Sequence, residues 1–555
     1  MLVALQLLFL LCRAIGGAHG STVGGNNGDM LSLLDFKRVI TGDPHGALSS
    51  WNATTPFCEW NGVTCSWEHP GRVMALDLGG YGLSGSISPS LGNLTLVREL
   101  NLSSNTLSGQ LPPLGLLHEL EVLDLGNNSV HDRIPDAVTN CTNLRILDLR
   151  CNFIFGEIPP QVSLLSNLLV LRLRQNNISG TIPPTISNIT RLQIISLSSS
   201  NGLTGSIPDQ LGKLSNLSVL ILGENWLTGG LPQSLFNVSS LQILGLGLTR
   251  IGGTLPPNIG DALTNLQWLY MDSSLFHGHI PASLGNASRL VVVNFASNNF
   301  TGQVPTSLGK LPNLCYLNLQ RNMIEASDKK SWEFLYALGN RTIPQVRSPH
   351  DNQLLRGIPK SICSMSGNLE TLLLGDNRLS GIVPQSIGNL HGLTALDLGD
   401  NNLTGNIGEW IKNLTNLKSL NLEENNFVGT ILSSIVNLSN LETLVLSKNA
   451  FSGHIPAHMG NLGGLFGLVL NGNNLTGTIE KWIGRLGNLK YLNLQDNNFV
   501  GTIASSIGNL TNLEVLFLAE NAFTGHIPST LGNLQNLQRL NLSYNNLKGA
   551  ISSNM

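Results

Sequence analysis

The sequence predicts an α/β solenoid, in which one short unit is repeated and stacked to build a parallel β-sheet. A pattern L-x-x-L-x-L-x-x-N recurs about every 24 residues and is cleanest in residues 441–464. Each copy continues into a Gly-x-Ile-Pro segment and a short return segment. A single unit cannot bury its apolar edge alone, whereas stacked units share a continuous core. The period therefore predicts one elongated domain of about 20 repeats.

Each part of the unit has a structural reason. Leu444 and Leu446 alternate with polar residues, as in a strand that is buried on one face. Asn449 follows where the chain must turn, and its amide can satisfy the backbone groups that a turn leaves unpaired. Gly453 permits an unusual φ and Pro456 blocks a helix, so the chain leaves the strand and returns to begin the next unit.

Residues 1–20 are predicted to be a signal peptide. An apolar run at residues 2–11 is followed by Ala18-His19-Gly20, so cleavage is expected before Ser21. The apolar run is shorter than the roughly 20 residues that a membrane helix needs. We therefore expect the chain to be secreted and extracellular.

Residues 21–72 do not follow the period and are predicted to form a cap over the first repeat. Helical spacing relates Leu31, Leu34 and Phe36. The segment CEWNGVTC places Cys58 and Cys65 close together, and in an oxidising compartment they would form a disulfide. A metal site is the weaker alternative, because no His pair accompanies the two cysteines at zinc-finger spacing.

Repeats are predicted over residues 73–322 and again over residues 364–555. The residues at the Asn position of the pattern, here called ladder residues, are Tyr81, Asn105, Asn128, Asn152, Asn176, Asn201, Asn225, Thr249, Ser274, Asn298, Asn322, Asn377, Asn401, Asn425, Asn449, Asn473, Asn497, Asn521 and Asn545. Residues 323–363 interrupt the series with a degenerate copy ending at Asn352. Counting back from Asn352 puts Pro344, Arg347 and Pro349 at the three inward leucine positions. This predicts a damaged repeat or bulged loop; a loop that binds ligand is the alternative.

Three features carry a resemblance to a known family. They are the cap LLDFKRVITGDPHGALSSWN…CEWNGVTC, the repeats LxxLxLxxNxLxGxIPxxLGNL, and DKKSWEFL at residues 328–335. Over residues 29–547 the chain resembles the ectodomain of plant leucine-rich-repeat receptor-like kinases, in the branch of pattern-sensing immune receptors. The resemblance implies a right-handed leucine-rich-repeat superhelix with an N-terminal helical cap and a concave parallel β-sheet. That family continues into a C-terminal cap, a membrane span and a kinase, none of which precedes Met555, so we expect no enzymatic activity in this chain.

Composition and motifs exclude several functions. Charged residues make up 12% and the net charge is −3, which does not provide a basic surface for nucleic acid. No catalytic arrangement appears, the glycines of GLGL at residues 245–248 lie on a repeat strand and are interpreted as structural, and no cofactor is expected. His279, His454 and His526 share a G-H-I-P motif, but they are too far apart to share a metal ion.

The strand face is the predicted binding surface, because side chains four and two positions before each ladder residue point outward and form columns with their neighbours in adjacent repeats. Two clusters are candidate ligand-binding residues: Arg150, Arg172 and Arg174, and Trp268, Tyr270, Asp272 and Tyr316. Equal offsets predict that Asp148 pairs with Arg172 and that Arg150 and Arg174 stay uncompensated. The R-x-R arrangement is similar to the pair with which some peptide-hormone receptors of this family hold a ligand carboxylate. Ordinary surface residues are the alternative.

Many N-x-S/T motifs predict N-glycosylation in a secreted chain. The candidates are Asn52, Asn93, Asn140, Asn188, Asn216, Asn237, Asn286, Asn413, Asn437 and Asn509.

The sequence as a whole favours an extracellular ectodomain that binds a peptide or protein, in defence or developmental signalling. A co-receptor with a leucine-rich-repeat ectodomain is a further expected partner, and a plasma-membrane location requires a span downstream of this chain. A secreted inhibitor of microbial wall-degrading enzymes is one alternative, although such inhibitors have about half as many repeats. A nonfunctional gene fragment is the other.

Overall fold

The computed structural model of the chain describes residues 27–52, 54–199, 202–326, 328, 330–334, 345–347, 350–360 and 369–549. The predicted signal peptide, Pro344, Pro349 and Cys363 lie outside these residues. Two compact units divide the chain, Met1–Ile154 and Phe155–Met555. Each unit is a stack of repeats, and each repeat contributes a strand of the strand face, a second strand after the ladder residue, and a short return helix.

The first unit begins with the α-helix Asn27–Val39. Its strand-face strands are Val63–Cys65, Val73–Asp77, Glu99–Asn101, Val122–Asp124 and Ile146–Asp148. Its second series of strands is Ile40–Gly42, Ser84–Ser86, Thr106–Gly109 and Ser129–Val130, and its 3-10 helices are Phe57–Glu59, Pro89–Asn93, Leu114–Leu116 and Asp136–Asn140. Neighbouring strands of the repeats pair in parallel. The two cap strands pair antiparallel with strands of the first repeat, Ile40–Gly42 with Ser84–Ser86 and Val63–Cys65 with Val73–Asp77.

The second unit repeats this plan. Its strand-face strands are Val170–Arg172, Ile194–Ser196, Val219–Ile221, Ile243–Gly245, Trp268–Tyr270, Val292–Asn294, Tyr316–Asn318, Gln345–Arg347, Thr371–Leu373, Ala395–Asp397, Ser419–Asn421, Thr443–Val445, Gly467–Val469, Tyr491–Asn493, Val515–Phe517 and Arg539–Asn541. The second series is Phe155–Glu157, Asn177–Thr181, Gly202–Thr204, Thr228–Gly229, Arg250–Thr254, Leu275–His279, Asn299–Gly302, Met323–Ile324, Leu355–Arg356, Arg378–Ile382, Asn402–Gly405, Asn426–Thr430, Ala450–His454, Asn474–Gly477, Asn498–Thr502, Ala522–Gly525 and Asn546–Leu547.

Return helices complete these repeats. Ile259–Ala262 is α-helical, and the 3-10 helices are Pro160–Leu164, Pro184–Asn188, Asp209–Lys213, Gln233–Asn237, Ala282–Asn286, Thr306–Lys310, Lys330–Trp332, Gln385–Asn389, Glu409–Asn413, Ser433–Asn437, Ala457–Asn461, Lys481–Arg485, Ser505–Asn509 and Ser529–Asn533. The inward leucines, such as Leu444 and Leu446, are fully buried. The predicted solenoid of leucine-rich repeats is confirmed.

The cap is a small core of its own. Trp51 and Trp60 are buried and their rings stack at 5.3 Å between centroids, with Phe36 packed against Trp51. The structure contains the predicted Cys58–Cys65 disulfide beside them. Leu31, which the helical spacing placed toward the core, is 52% exposed, and Leu33 is buried in its stead.

The cap helix joins the first repeat through a buried carboxylate. Asp29 is 2% exposed, accepts a hydrogen bond from the Val73 amide at 2.8 Å, and pairs with Arg72 at 3.1 Å. The cap therefore covers the first repeat strand with polar contacts as well as apolar ones.

Ladder residues hold consecutive repeats together. The Asn425 amide group donates to the carbonyls of Leu398, Leu422 and Glu423 at 2.8, 3.3 and 3.0 Å, and its oxygen accepts the Leu403 amide at 2.9 Å. One side chain thus satisfies four backbone groups in the interior, where unpaired polar groups are costly.

Tyr81, Thr249 and Ser274 are the ladder residues that lack this amide, and the last two occupy consecutive repeats. The Thr249 hydroxyl donates to Leu246 O at 2.9 Å, and the Ser274 hydroxyl contacts the same carbonyl at 3.2 Å. The Leu227 amide, which would meet an asparagine oxygen at position 249, is buried and has no acceptor within the part of the chain that the structure describes. The ladder is weaker at these two repeats than at Asn425.

Most residues directly before a ladder residue have left-handed backbone conformation. Leu248 has φ +57° and Asp400 has φ +50°. Asp and Asn tolerate this conformation better than an apolar L-residue does.

The interruption retains both a strand and the ladder. Gln345–Arg347 pairs in parallel with Tyr316–Asn318, and the register places Val346 opposite Leu317. The backbone register therefore differs by one residue from the expectation, because residue 346, and not Arg347, is paired with the leucine position of the preceding repeat. Asn352 still donates to Leu319 O at 2.9 Å, although thirty residues separate it from Asn322.

Candidate ligand-binding face

The aromatic candidates lie together on the strand face of the second unit. The register aligns Trp268 with Val292 and Val292 with Tyr316, so both aromatic side chains belong to one column. Two strand spacings, about 10 Å, separate them. Trp268, Tyr270 and Tyr316 are each partly exposed, while Leu269 between the first two is buried. The prediction that this cluster faces away from the core is confirmed.

Two glycines border the cluster on the preceding repeat. Gly245 aligns with Tyr270. A Cβ on Gly247 would lie 2.7 Å from Oδ1 of Asp272, and one on Gly245 would lie 3.3 Å from Ile221. The face is therefore lower beside Tyr270 and Asp272, and Asp272 occupies space that a side chain at position 247 would take. Sequence reasoning interpreted these glycines as structural; their outward positions in the pattern were the signal for a depression.

The polar groups of the cluster are held in a partly dehydrated setting. Burial raises the pKa of Tyr270, and the neighbouring Tyr316, Cys315 and Asp272 raise it further. The phenol is therefore a neutral hydrogen-bonding group at physiological pH. Asn318 donates to the Tyr316 hydroxyl at 3.2 Å, which fixes the ring beside it.

Asp272 gives the depression a negative character. Burial raises the pKa of its carboxyl group, a hydrogen bond to its own backbone amide lowers it, and Glu224 raises it. Glu224 lies two repeats before Asp272, and the negative charge of the two carboxylates favours a cationic or hydrogen-bond-donating group in this part of the face. Together with the aromatic rings they can hold an apolar side chain next to a donor.

The arginine candidates differ from the expectation. Arg150 pairs with Asp148, which ends the strand Ile146–Asp148 two residues before it and is 1% exposed. The prediction that Arg150 is uncompensated is wrong, because residues two apart on one strand share a face and can pair directly. Arg150 belongs to the first unit, whereas Arg172 and Arg174 belong to the second, where both are partly exposed.

The predicted glycosylation sites are accessible. Eight of the candidates are the last residue of a return helix and are exposed: Asn93, Asn140, Asn188, Asn237, Asn286, Asn413, Asn437 and Asn509. Asn216 is also exposed, whereas Asn52 is half-buried and accepts hydrogen bonds from Thr54. Glycans on the return helices would leave the strand face open.

Other candidate chemistry is absent from the described residues. His279, His454 and His526 are exposed on separate repeats, and the described parts of the chain hold no group of three or more residues that could bind a metal ion. Cys141 and Cys315 carry free thiols. None of the described helices is long and apolar enough to cross a membrane.

Family comparisons match most of the chain. The sequence matches the leucine rich repeat N-terminal domain over residues 26–66, the leucine-rich repeat region over residues 81–330, and the leucine rich repeat over residues 367–427, 440–462 and 487–547.

Individual plant receptor kinases are also similar to the chain in sequence and in structure. The chain is similar to the LRR receptor-like serine/threonine-protein kinase EFR of Arabidopsis thaliana, with 45% identity over 98 residues, which are 17% of this chain and 9% of that protein. It is similar to the LRR ectodomain of the Arabidopsis thaliana membrane receptor kinase GASSHO1/SCHENGEN3, solved with CASPARIAN STRIP INTEGRITY FACTOR 2, at 35% identity and TM-score 0.88, covering 95% of this chain and 62% of that one. It is also similar to the Arabidopsis receptor kinase HAESA, solved with the peptide hormone IDA and the co-receptor SERK1, at 32% identity and TM-score 0.76, covering 94% of this chain and 90% of that one. The chain thus spans less than two thirds of EFR and of the GASSHO1 structure.

Proposed function

The chain belongs to the leucine-rich-repeat ectodomains of plant receptor kinases, and on that premise we propose that it binds an extracellular peptide or protein ligand on its strand face. The observation that carries the proposal is the cluster of Trp268, Tyr270 and Tyr316 beside the depression at Gly245 and Gly247. Aromatic side chains that remain partly exposed on a rigid sheet are frequent anchors at interfaces. The two similar ectodomains described above were solved as complexes, one with CASPARIAN STRIP INTEGRITY FACTOR 2 and one with IDA and SERK1.

The chemistry of the cluster suggests what the ligand offers. An apolar side chain can pack between Trp268 and Tyr316, and a donor or cationic group can approach Asp272. Arg174 remains a candidate for a ligand carboxylate, since no ion pair holds it among the described residues. A co-receptor is a further proposed partner, and signalling is the proposed outcome.

Peptide selection tests the proposal. A random peptide library displayed on phage would be selected on the secreted full chain, and affinities of the selected peptides measured by calorimetry. Tyr270→Ala and Trp268→Ala are expected to weaken binding about tenfold or more, the range of an interface hot spot. Tyr491→Ala is the matched control, because Tyr491 occupies the column position of Trp268 and Tyr316 in a distant repeat and packs on Phe517. Equal losses in the control, or none in the cluster variants, would contradict a site at Trp268 and Tyr270.

A further inference from the structure

A second exposed cluster lies beside the ladder rather than on the strand face. Trp226, Arg250 and Leu275 directly follow three consecutive ladder residues, and Leu248 directly precedes one of them. These four residues are called the rim patch. Trp226, Leu248 and Leu275 are 56%, 52% and 53% exposed. The second-series strands of these three repeats pair side by side, so the side chains are contributed by adjoining repeats.

Most other repeats present polar residues at these positions. The residues directly after the ladder include Asn402, Asn426, Asn474 and Asn498, and those directly before it include Asp376, Asp400, Glu424 and Asp496. The stacking of the repeats therefore does not require apolar side chains here. Phe153 and Met323 are also exposed apolar residues directly after a ladder residue, but the adjoining repeats carry polar residues there, whereas the rim patch joins three adjoining repeats.

A leucine at position 248 is energetically unfavourable for two reasons. Its φ of +57° lies in the left-handed region, which an apolar residue without a short polar side chain adopts at a cost. Its side chain is half in water, so it gains little from burial. Its backbone is held in place by a bond from its own amide to Asp272 O at 2.7 Å, which any residue could make. The left-handed backbone recurs at this position in most repeats, so what is particular to this repeat is the choice of leucine. An exposed apolar side chain at a position where the fold accepts polar residues points to an interaction outside the chain.

Arg250 determines the polarity of the rim patch. Its guanidinium carbon lies 4.8 Å from the centre of the Trp226 ring. It forms no ion pair with any residue that the structure describes, and Glu224, directly before Asn225, does not reach it. A guanidinium stacked on an indole keeps its N–H donors available at the edge, where a carboxylate can accept two of them.

We propose that the rim patch docks a partner protein segment that carries an Asp or Glu next to a large apolar side chain. The apolar side chain would pack on Leu248 and Leu275, and the carboxylate would meet Arg250 over Trp226. Tryptophan and arginine are the residue types that most often dominate the binding energy of protein interfaces. The proposal does not depend on ligand binding at Trp268 and Tyr270.

The test separates the two surfaces. A random peptide library would be selected on the full chain carrying Trp268→Ala and Tyr270→Ala, and counter-selected on the chain carrying Trp226→Ala and Leu275→Ala. The enriched peptides are expected to pair a carboxylate with Leu, Ile, Phe or Trp. Arg250→Glu is expected to weaken them about tenfold or more, and replacing the peptide carboxylate with Lys is expected to restore binding to that variant. Arg378→Glu is the matched control, since Arg378 is exposed at the same position after Asn377.

Leu248→Asn distinguishes docking from damage to the fold. Asparagine suits the left-handed backbone, so amide exchange around Thr249 should slow while peptide binding falls. The proposal is overturned if no peptide is enriched, if enriched peptides lack a carboxylate or ignore Arg250→Glu, or if sedimentation shows that the rim patch instead joins two copies of this chain.

Discussion

The repeats that end at Asn425 and at Thr249 complete the same turn with different chemistry. The Asn425 amide group hydrogen-bonds to four backbone groups. The Thr249 hydroxyl donates to Leu246 O and accepts from the Ile251 amide at 3.3 Å, and among the described residues the buried Leu227 amide has no acceptor. The ladder is therefore strong in the later repeats and weak around Thr249 and Ser274.

The two repeats in which the ladder is weaker also carry the unusual surface residues. The repeats ending at Thr249 and Ser274 carry Gly245 and Gly247, the Trp268 and Tyr270 pair, and most of the rim patch. Natural proteins tend to break local rules at functional sites. The missing ladder amides in the interior and the unusual side chains on the surface therefore occur in the same repeats, and both departures from the pattern mark repeats whose role differs from stacking.

Removing a ladder amide should have the largest effect. Asn425→Ala leaves three carbonyls and the Leu403 amide without their partner, and we expect a loss of about 3 kcal/mol or more. Solenoids do not unfold in one step, so the local measurement is amide exchange at Leu403. Asn426→Ala, at the exposed neighbouring position, is the control and should change exchange little. Similar exchange in both variants would show that the ladder is not what holds these repeats.

Restoring an amide should strengthen the weak repeats by less. Thr249→Asn would offer an oxygen to the Leu227 amide and donors to the carbonyls around it. We expect a gain of about 1 kcal/mol, the net worth of a buried hydrogen bond. The measurement is slower exchange at Leu227, with Thr249→Ser as the control that keeps a hydroxyl. Faster exchange would mean that this site has no room for the amide and that the two regions differ in packing as well as in bonding.

The smallest expected effect concerns pH. Burial, the hydrogen bond to Glu424 and the charge of Asp376 raise the pKa of Asp400 to about 7. Because this pKa lies above the unfolded value, protonation favours the fold: the contribution is complete below about pH 4 and is lost as the pH rises through about 7. Exchange around Asn401, corrected for its intrinsic pH dependence, should be slower at about pH 5 than at about pH 8.

Asp400→Asn should abolish that difference, and Asp496→Asn, at the same position in another repeat, should leave it. The effect is small because the group is largely in contact with solvent, where charge interactions are screened. A pH dependence that survives Asp400→Asn would assign it to another group.

The period made much of this molecule predictable. Leucines at fixed offsets define the strands, the turns and the inward positions, so the repeats from Asn377 to Asn545 could be placed from the sequence alone. The cap helix and the Cys58–Cys65 pair followed from their own local patterns.

The remainder depended on contacts that a period does not encode. The register of Gln345–Arg347 could not be predicted because this repeat lacks the leucines of the pattern, and the backbone pairing with Tyr316–Asn318 is what defines it. The Asp148 and Arg150 pair was missed because offsets were compared between strands rather than within one. The rim patch could not be predicted from the outward positions of the strand, because Trp226, Arg250 and Leu275 come after the ladder residue and lie outside that pattern.

The persistence of the Asn352 bond across a thirty-residue repeat has a consequence for how such chains change length. In a crystal, a stacking fault displaces one layer while the layers beyond it resume the lattice. The segment between Asn322 and Asn352 behaves in the same way, because the bond from Asn352 to Leu319 O spans the extra residues and the 24-residue spacing resumes at Asn401. Among the described residues, one strand-face sheet ends at Gln345–Arg347 and another begins at Thr371–Leu373, while the ladder bonds of Asn352 and Asn377 continue across this break. The irregular repeat therefore interrupts the pairing of strands but not the ladder. The solenoid thus tolerates insertions within a repeat. New loops can arise in this chain without disturbing the register of the repeats beyond them.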